Sequence, residues 1–198
     1  MLLPAMLCAA VLVSQAPALE LTASDREFAI KYLEETRQNF LASIDGVSDA
    51  QWTFKAAPDR WSIAEIAEHI AISESTILQL VTSKIVHAPP PPADARPTDQ
   101  QMIEWLTDRS ARFQAPEFLK PTNRWPTRDG LKADFNAARD KTVAYVRETK
   151  DNLRAHAAPH PVLKTLDAYQ WVLLIGGHSA RHTAQIQEVK AEATYPKP

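Results

Sequence analysis

A chain of 198 residues with nearly balanced charge, formally −2 at pH 7, suits one domain large enough to close a hydrophobic core without staples. Lys and Arg form no run that would track a phosphate backbone or an anionic membrane, which argues against nucleic acid as a partner. Only four glycines occur, and prolines cluster between long periodic segments, which argues against Gly-rich phosphate loops and an all-β fold.

In chain order, the apolar run Leu2–Val13 followed by Ala16-Pro17-Ala18 has the pattern of a secretory signal peptide, leaving 19–198 as the mature domain. The run is too short for a comfortable membrane span, and nothing later is apolar enough to be one. The expectation is an exported protein, periplasmic or secreted; the alternative is a cytoplasmic protein with a mis-assigned start. Cleavage after Ala18 removes Cys8, the one cysteine, and with it any disulfide, thiolate ligand or Cys nucleophile.

Four long helical segments follow. The first spans about Ser24 to Ile44, with Ser24 and Glu27 as a capping box and Phe28, Tyr32, Leu33, Thr36, Phe40 and Ile44 as its apolar stripe. Ser48 and Gln51 mark a brief capped turn. The second helix runs from Ser62 to about Ile85; Ser62 is its N-cap, Glu65 the N3 partner, and Trp61 and Ile66 a hydrophobic staple. Consecutive prolines make HAPPPPADARP a semi-rigid extended crossover. A shorter helix is expected over Thr98–Phe113, a third long one over Leu131–Lys150, a loop at HAAPHP, and the last helix over Thr165–Ala191. The fold class is therefore all-α, a four-helix bundle with a long crossover connection.

The last helix carries the most informative feature. Its inward seam is Trp171, Ile175, His178, His182, Gln185 and Val189, so two imidazoles and an amide stand where apolar knobs belong. Buried polar groups without partners cost on the order of a few kcal/mol, so three in one seam require a compensating interaction. Histidines at i and i+4 project from one face and can converge on a metal ion. His69, on the second helix in a stripe with Ser73, Thr76 and Leu80, is the candidate third ligand. Three neutral imidazoles would leave a coordination position for water or substrate, suiting Zn, Ni or Fe. The alternative is a satisfied polar core without metal. Spacing alone decides little, since His156 and His160 share it and flanking prolines keep them off any helix. His87 is expected in solvent. Gln185 is expected to hydrogen-bond rather than ligate, Glu65 could orient His69 but is the cap partner, and Glu68 and Glu188 are expected to be solvated helix-face charges.

The segment APDRWSIAEIAEHIA from Ala57 to Ala71, then Gln170-Trp171 and GGHSARHTAQIQEV, resemble the DinB-like superfamily, with its bacillithiol-transferase and YfiT-type members. The resemblance implies a four-helix bundle of unusual topology, a metal triad at His69, His178 and His182, and often a homodimer. It also implies a small-molecule substrate, such as a thiol, and a metal-dependent transferase or hydrolase. The alternative is a non-catalytic, stress-associated module in which the metal staples two helices.

Overall fold

The computed structural model describes residues 20–91 and 96–197. The expected signal peptide, with Cys8 and the expected cleavage point, lies outside the described residues, as does 92–95 of the Pro-rich crossover. Six helices are described: α1 Ala23–Ile44, α2 Asp49–Thr53, α3 Ile63–Ser83, α4 Asp99–Thr107, α5 Arg128–Glu148 and α6 Ala168–Lys190, with short strands β1 Ala157–His160 and β2 Lys164–Asp167.

Helix starts follow from side chains that replace the missing backbone acceptors of the first turn. Ser62 caps α3 as expected: its Oγ accepts from Glu65 N at 3.3 Å and the Glu65 carboxylate takes Ser62 N at 2.7 Å. Trp61 and Ile66 share one hydrophobic cluster across that cap. The cap of α1 is Thr22 with Asp25, not Ser24 with Glu27. Both pairs have the right spacing, but the upstream one adds two residues, about half a turn, and Arg154 reaches Asp25 at 2.7 Å. The apolar stripe of α1 holds except at Phe28, which is 46 % exposed.

Two boundaries differ more. The last helix begins at Ala168 rather than Thr165, because Asp167 and Gln170 form its capping box. The residues before it pair as β2 against β1, so the expected HAAPHP loop is half of an antiparallel hairpin with Ala157 opposite Asp167 and His160 opposite Lys164. Helix α4 stops at Thr107, short of Phe113. There Arg181 donates to the carbonyls of Leu106 (3.1 Å), Asp108 and Ala111 (2.6 Å), holding them away from the geometry that would continue the helix.

The bundle consists of α1, α3, α5 and α6; α1 and α3 each pack on both α5 and α6, and α4 flanks α6. Arg26 near the start of α1 donates to Val146 O (2.5 Å) and Thr149 O (2.9 Å) at the end of α5, so these two run antiparallel. Ile63 and Ile66 of α3 cluster with Leu131 and Phe135 from the start of α5, and with Ile186 and Val189 from the end of α6. Thus α3 runs parallel to α5 and antiparallel to α6. A parallel α3–α5 pair demands a connection that returns along the length of the bundle, and residues 84–127 with α4 provide it. Among the described residues, no helix is long and apolar enough to cross a membrane.

At mid-bundle all four helices meet on Arg139 of α5, which is fully buried. Its guanidinium forks onto Glu74 of α3 (2.7 and 2.8 Å) and reaches Ser179 of α6 (2.9 Å), with Leu33 O and Thr36 Oγ1 (3.0 Å) of α1 on the remaining nitrogen. Gly177 lets α6 pass close to α1 and α4: a Cβ there would stand 2.5 Å from Leu106 Cδ2 and 3.2 Å from Tyr32 Oη.

Candidate metal centre

Helices α3 and α6 bring His69, His178 and His182 together, each offering a ring nitrogen within 4.8 Å of the others. The antiparallel packing sets His69, at mid-α3, opposite the His178–His182 turn of α6. His69 is 3 % exposed, while His178 and His182 keep partial access from the outside. The ring centroids are 4.4–4.8 Å apart, and the Trp61 ring tilts over His69 at 4.9 Å.

Hydrogen bonds decide which nitrogens are free. Carbonyl oxygens only accept, so His69 Nδ1–H donates to Leu119 O at 2.8 Å and His182 Nδ1–H donates to Gln185 Oε1 at 2.8 Å. Both rings are thereby fixed as the tautomer with a bare Nε2 lone pair aimed at the cluster, the usual way in which an outer partner orients a metal-binding imidazole. His69 Nε2 and His178 Nε2 are 3.1 Å apart. Tetrahedral ligation at Zn–N distances of about 2.0–2.1 Å puts nitrogens about 3.3 Å from one another. The donor set therefore fits a divalent transition metal after small movements. One turn on from His69, Ser73 is 1 % exposed, and its Oγ has no partner among the described residues. Replacing Gln185 by Ala frees the His182 ring to turn, and metal affinity is expected to fall about 10–100-fold in chelator competition with the helical signal unchanged.

Electrostatics agree with the tautomers. Burial lowers the pKa of all three imidazoles: His69 against the opposing pull of its Leu119 bond, His178 well below the ordinary value with the fields of His182 and His69 adding, and His182 down to about 3 with His69 adding. The three rings are neutral near pH 7, as ligation requires.

The surrounding carboxylates are occupied. Glu65 is the α3 cap and pairs with Lys55 at 3.0 Å. Glu68 is not a solvated charge: it is 6 % exposed and accepts the backbone N–H groups of Thr122 (2.8 Å), Asn123 (2.9 Å) and Arg124 (3.1 Å). With the Leu119–His69 bond, it fastens the 117–124 segment beside the imidazoles. Glu188 is bound bidentately by Arg109 at 2.5 and 2.7 Å. No sequence pattern signals Leu119 O or the Glu68 anchor, because both partners are backbone groups about 50 residues away.

The pocket beside Trp125 does not overlie the cluster. Trp125 lines a cavity of about 580 Å³ with Trp52, Glu68, Asn123 and Arg128, and none of the three histidines borders it. His156 Nδ1–H donates to Ala88 O at 2.6 Å. His160 accepts from Val162 N and Leu163 N. His87 is exposed.

Four helices with a long crossover and an inward three-imidazole cluster define a class of metal-site bundle. The sequence profile of the DinB superfamily matches residues 32–186, and the chain belongs to that superfamily. The uncharacterized protein YuaE of Bacillus subtilis (strain 168) is 26 % identical over 156 residues, covering 79 % of this chain and 93 % of YuaE. The solved structure of YfiT from Bacillus subtilis, described as a probable metal-dependent hydrolase with an unusual four-helix bundle topology, superposes with a TM-score of 0.57. It is 17 % identical and the match covers 89 % of this chain and 91 % of YfiT; at that identity the likeness establishes the fold.

Proposed function

We propose that the protein is a metal-dependent transferase or hydrolase in which His69, His178 and His182 hold one divalent transition metal and leave a position open to substrate. The observation that carries the reading is the pair of bare Nε2 atoms on His69 and His182, set by bonds from the opposite ring nitrogens to Leu119 O and Gln185 Oε1. When bound, the cation supplies Lewis acidity that lowers the pKa of a thiol or water sharing its open position. The partial access to His178 and His182 provides the route for that molecule, and Trp61 closes the His69 side.

Glu65, Glu68 and Glu188 are each engaged elsewhere, so none is free to take a proton. A thiol, with an ordinary pKa near 8.5, needs less help to ionise than water at about 15.7, which favours a thiol nucleophile. Metal analysis of untagged protein should give about one divalent ion per chain, lost in His178→Ala while the helical circular dichroism persists. No metal after reconstitution with Zn, Ni and Fe(II) would overturn the reading. The 1–18 pattern supports export; N-terminal sequencing of the protein from the cell envelope or medium should then start at Leu19.

A further inference from the structure

We propose that the β1–β2 hairpin is closed by an acid-sensitive clasp, in which the neutral imidazole of His160 holds the turn and its protonation frees residues 161–163. The inference is independent of the metal-site reading and concerns a histidine that the metal site does not use.

His160 ends β1 and pairs in register with Lys164, so the turn between them is Pro161, Val162 and Leu163. Pro161 has no N–H, and the two amides after it are the ones that need acceptors. One atom serves both: His160 Nδ1 lies 3.2 Å from Val162 N and 3.1 Å from Leu163 N. A backbone N–H can only donate, so Nδ1 carries the lone pair and Nε2 the proton. Asn and Asp close turns in the same way, by accepting from amides two or three residues on; here the acceptor is a group that titrates near neutral pH. A protonated imidazole has a hydrogen on both nitrogens and can accept neither bond.

The clasp holds a strained turn and a core residue. Lys164 has a φ of 65°, in the left-handed region that short hairpins ordinarily give to Gly, and its Nζ lies 5.6 Å over the Trp105 ring of α4. Leu163 is buried in the cluster that contains Trp171 and Ile175 of α6. The His160 ring packs 5.2 Å from that of Trp171. Opening the turn therefore lets Leu163 leave the core and uncovers the Trp171 face of α6. The surroundings oppose a charged ring. Across the hairpin stands the cation Lys164, and His156, just before β1, is tied to Ala88 O. From α6 the ring meets uncharged Trp171, with His178 further along, whose pKa the His160 field helps to lower. Asp167 at the base of the hairpin is held by Arg96 and Arg154, and no carboxylate pairs with the ring among the described residues. Burial lowers the pKa of His160, so the closed turn refuses a proton that the open one accepts. The clasp is complete above the open-chain value near pH 6.5 and is lost as pH falls toward the lower folded value.

The test follows the whole protein by NMR as pH is lowered from 7.5, over the range in which its helical circular dichroism stays native. At pH 7.5 the ring-nitrogen shifts of His160 should report the Nε2–H tautomer; the Nδ1–H tautomer overturns the clasp. The hydrogen-exchange protection factors of the Val162 and Leu163 amides should fall about tenfold for each pH unit from 6.5 down to the folded value. In His160→Asn the side-chain oxygen can accept the same two bonds without titrating, and the protection should hold across the range. In His160→Ala it should already be low at pH 7.5. Protection that stays flat in the unmodified protein, or that falls as steeply in His160→Asn, overturns the proposal. Should the Asn variant fail to fold, the tautomer and the pH profile of the unmodified protein decide the question between them.

Discussion

Arg139→Met is expected to lower the unfolding free energy by about 3–5 kcal/mol, because it leaves Glu74 charged and buried with its strongest partner gone. The pair is 0 % exposed on both sides. Five hydrogen bonds leave the guanidinium, from Nε to Glu74, from Nη1 to Leu33 O and Thr36, and from Nη2 to Glu74 and Ser179, which uses every donor an arginine has. Thr142 adds a bond to the same carboxylate at 3.1 Å. The loss should therefore appear in chemical denaturation as a lower midpoint with an unchanged slope. The double variant Glu74→Leu/Arg139→Met is the decisive companion. Two apolar side chains remove both charges together, and much of the stability should return, since swapping a buried pair for packing is often neutral or better. Should the double variant be as unstable as the single one, the cost would lie in lost shape rather than in an orphaned charge. Ser179 follows His178 directly and Glu74 lies just over one turn beyond His69, so the clamp also sets the register in which the two histidine-bearing helices face each other.

That clamp was illegible in the sequence, whereas the imidazole cluster was not, and the difference is one of range. His178 and His182 share a face because of helical geometry alone, and their place in an apolar seam is visible over two turns. The Ser62–Glu65 cap and the His182–Gln185 bond are equally local, each spanning three residues. Arg139 finds Glu74 across 65 residues of chain, and its sequence neighbours Asp140 and Lys141 make it resemble any surface charge. Glu68 has the same difficulty, since its partners are three backbone amides in a loop with no side-chain signature. The hairpin escaped because Ala157–His160 has neither alternation nor β-branched residues; it is held in place from outside, by the Asp167–Gln170 cap that ends it and by Ala157 N donating to Pro89 O at 3.1 Å. The Thr22–Asp25 and Ser24–Glu27 pairs both fit the capping pattern, and it is a distant partner, Arg154 reaching Asp25, that helps distinguish them.

Loading the site with metal should raise Tm strongly and change how stability responds to pH. At free metal about a thousandfold above Kd, binding to the folded state alone contributes about 4 kcal/mol. For a chain of this size that corresponds to about 8–16 °C. The gain should vanish in His182→Ala, whose metal-free Tm supplies the baseline. Without metal, burial lowers the pKa of the three imidazoles, that of His182 to about 3. These folded values lie below the unfolded-chain value near 6.5, so in acid the unfolded state binds protons that the folded state refuses. Their contribution is complete above pH 6.5 and is lost as pH falls toward the folded values. Melting of the metal-free protein should thus drop between pH 7 and pH 4, with a shallower drop in His182→Ala; an unchanged slope would mean that the ring is open to protons in the folded state. The same neutrality makes a second demand. A site whose imidazoles are already unprotonated competes with few protons for its ion, so metal affinity should change little between pH 7.5 and pH 6, whereas a loop of exposed histidines would weaken steeply over that range.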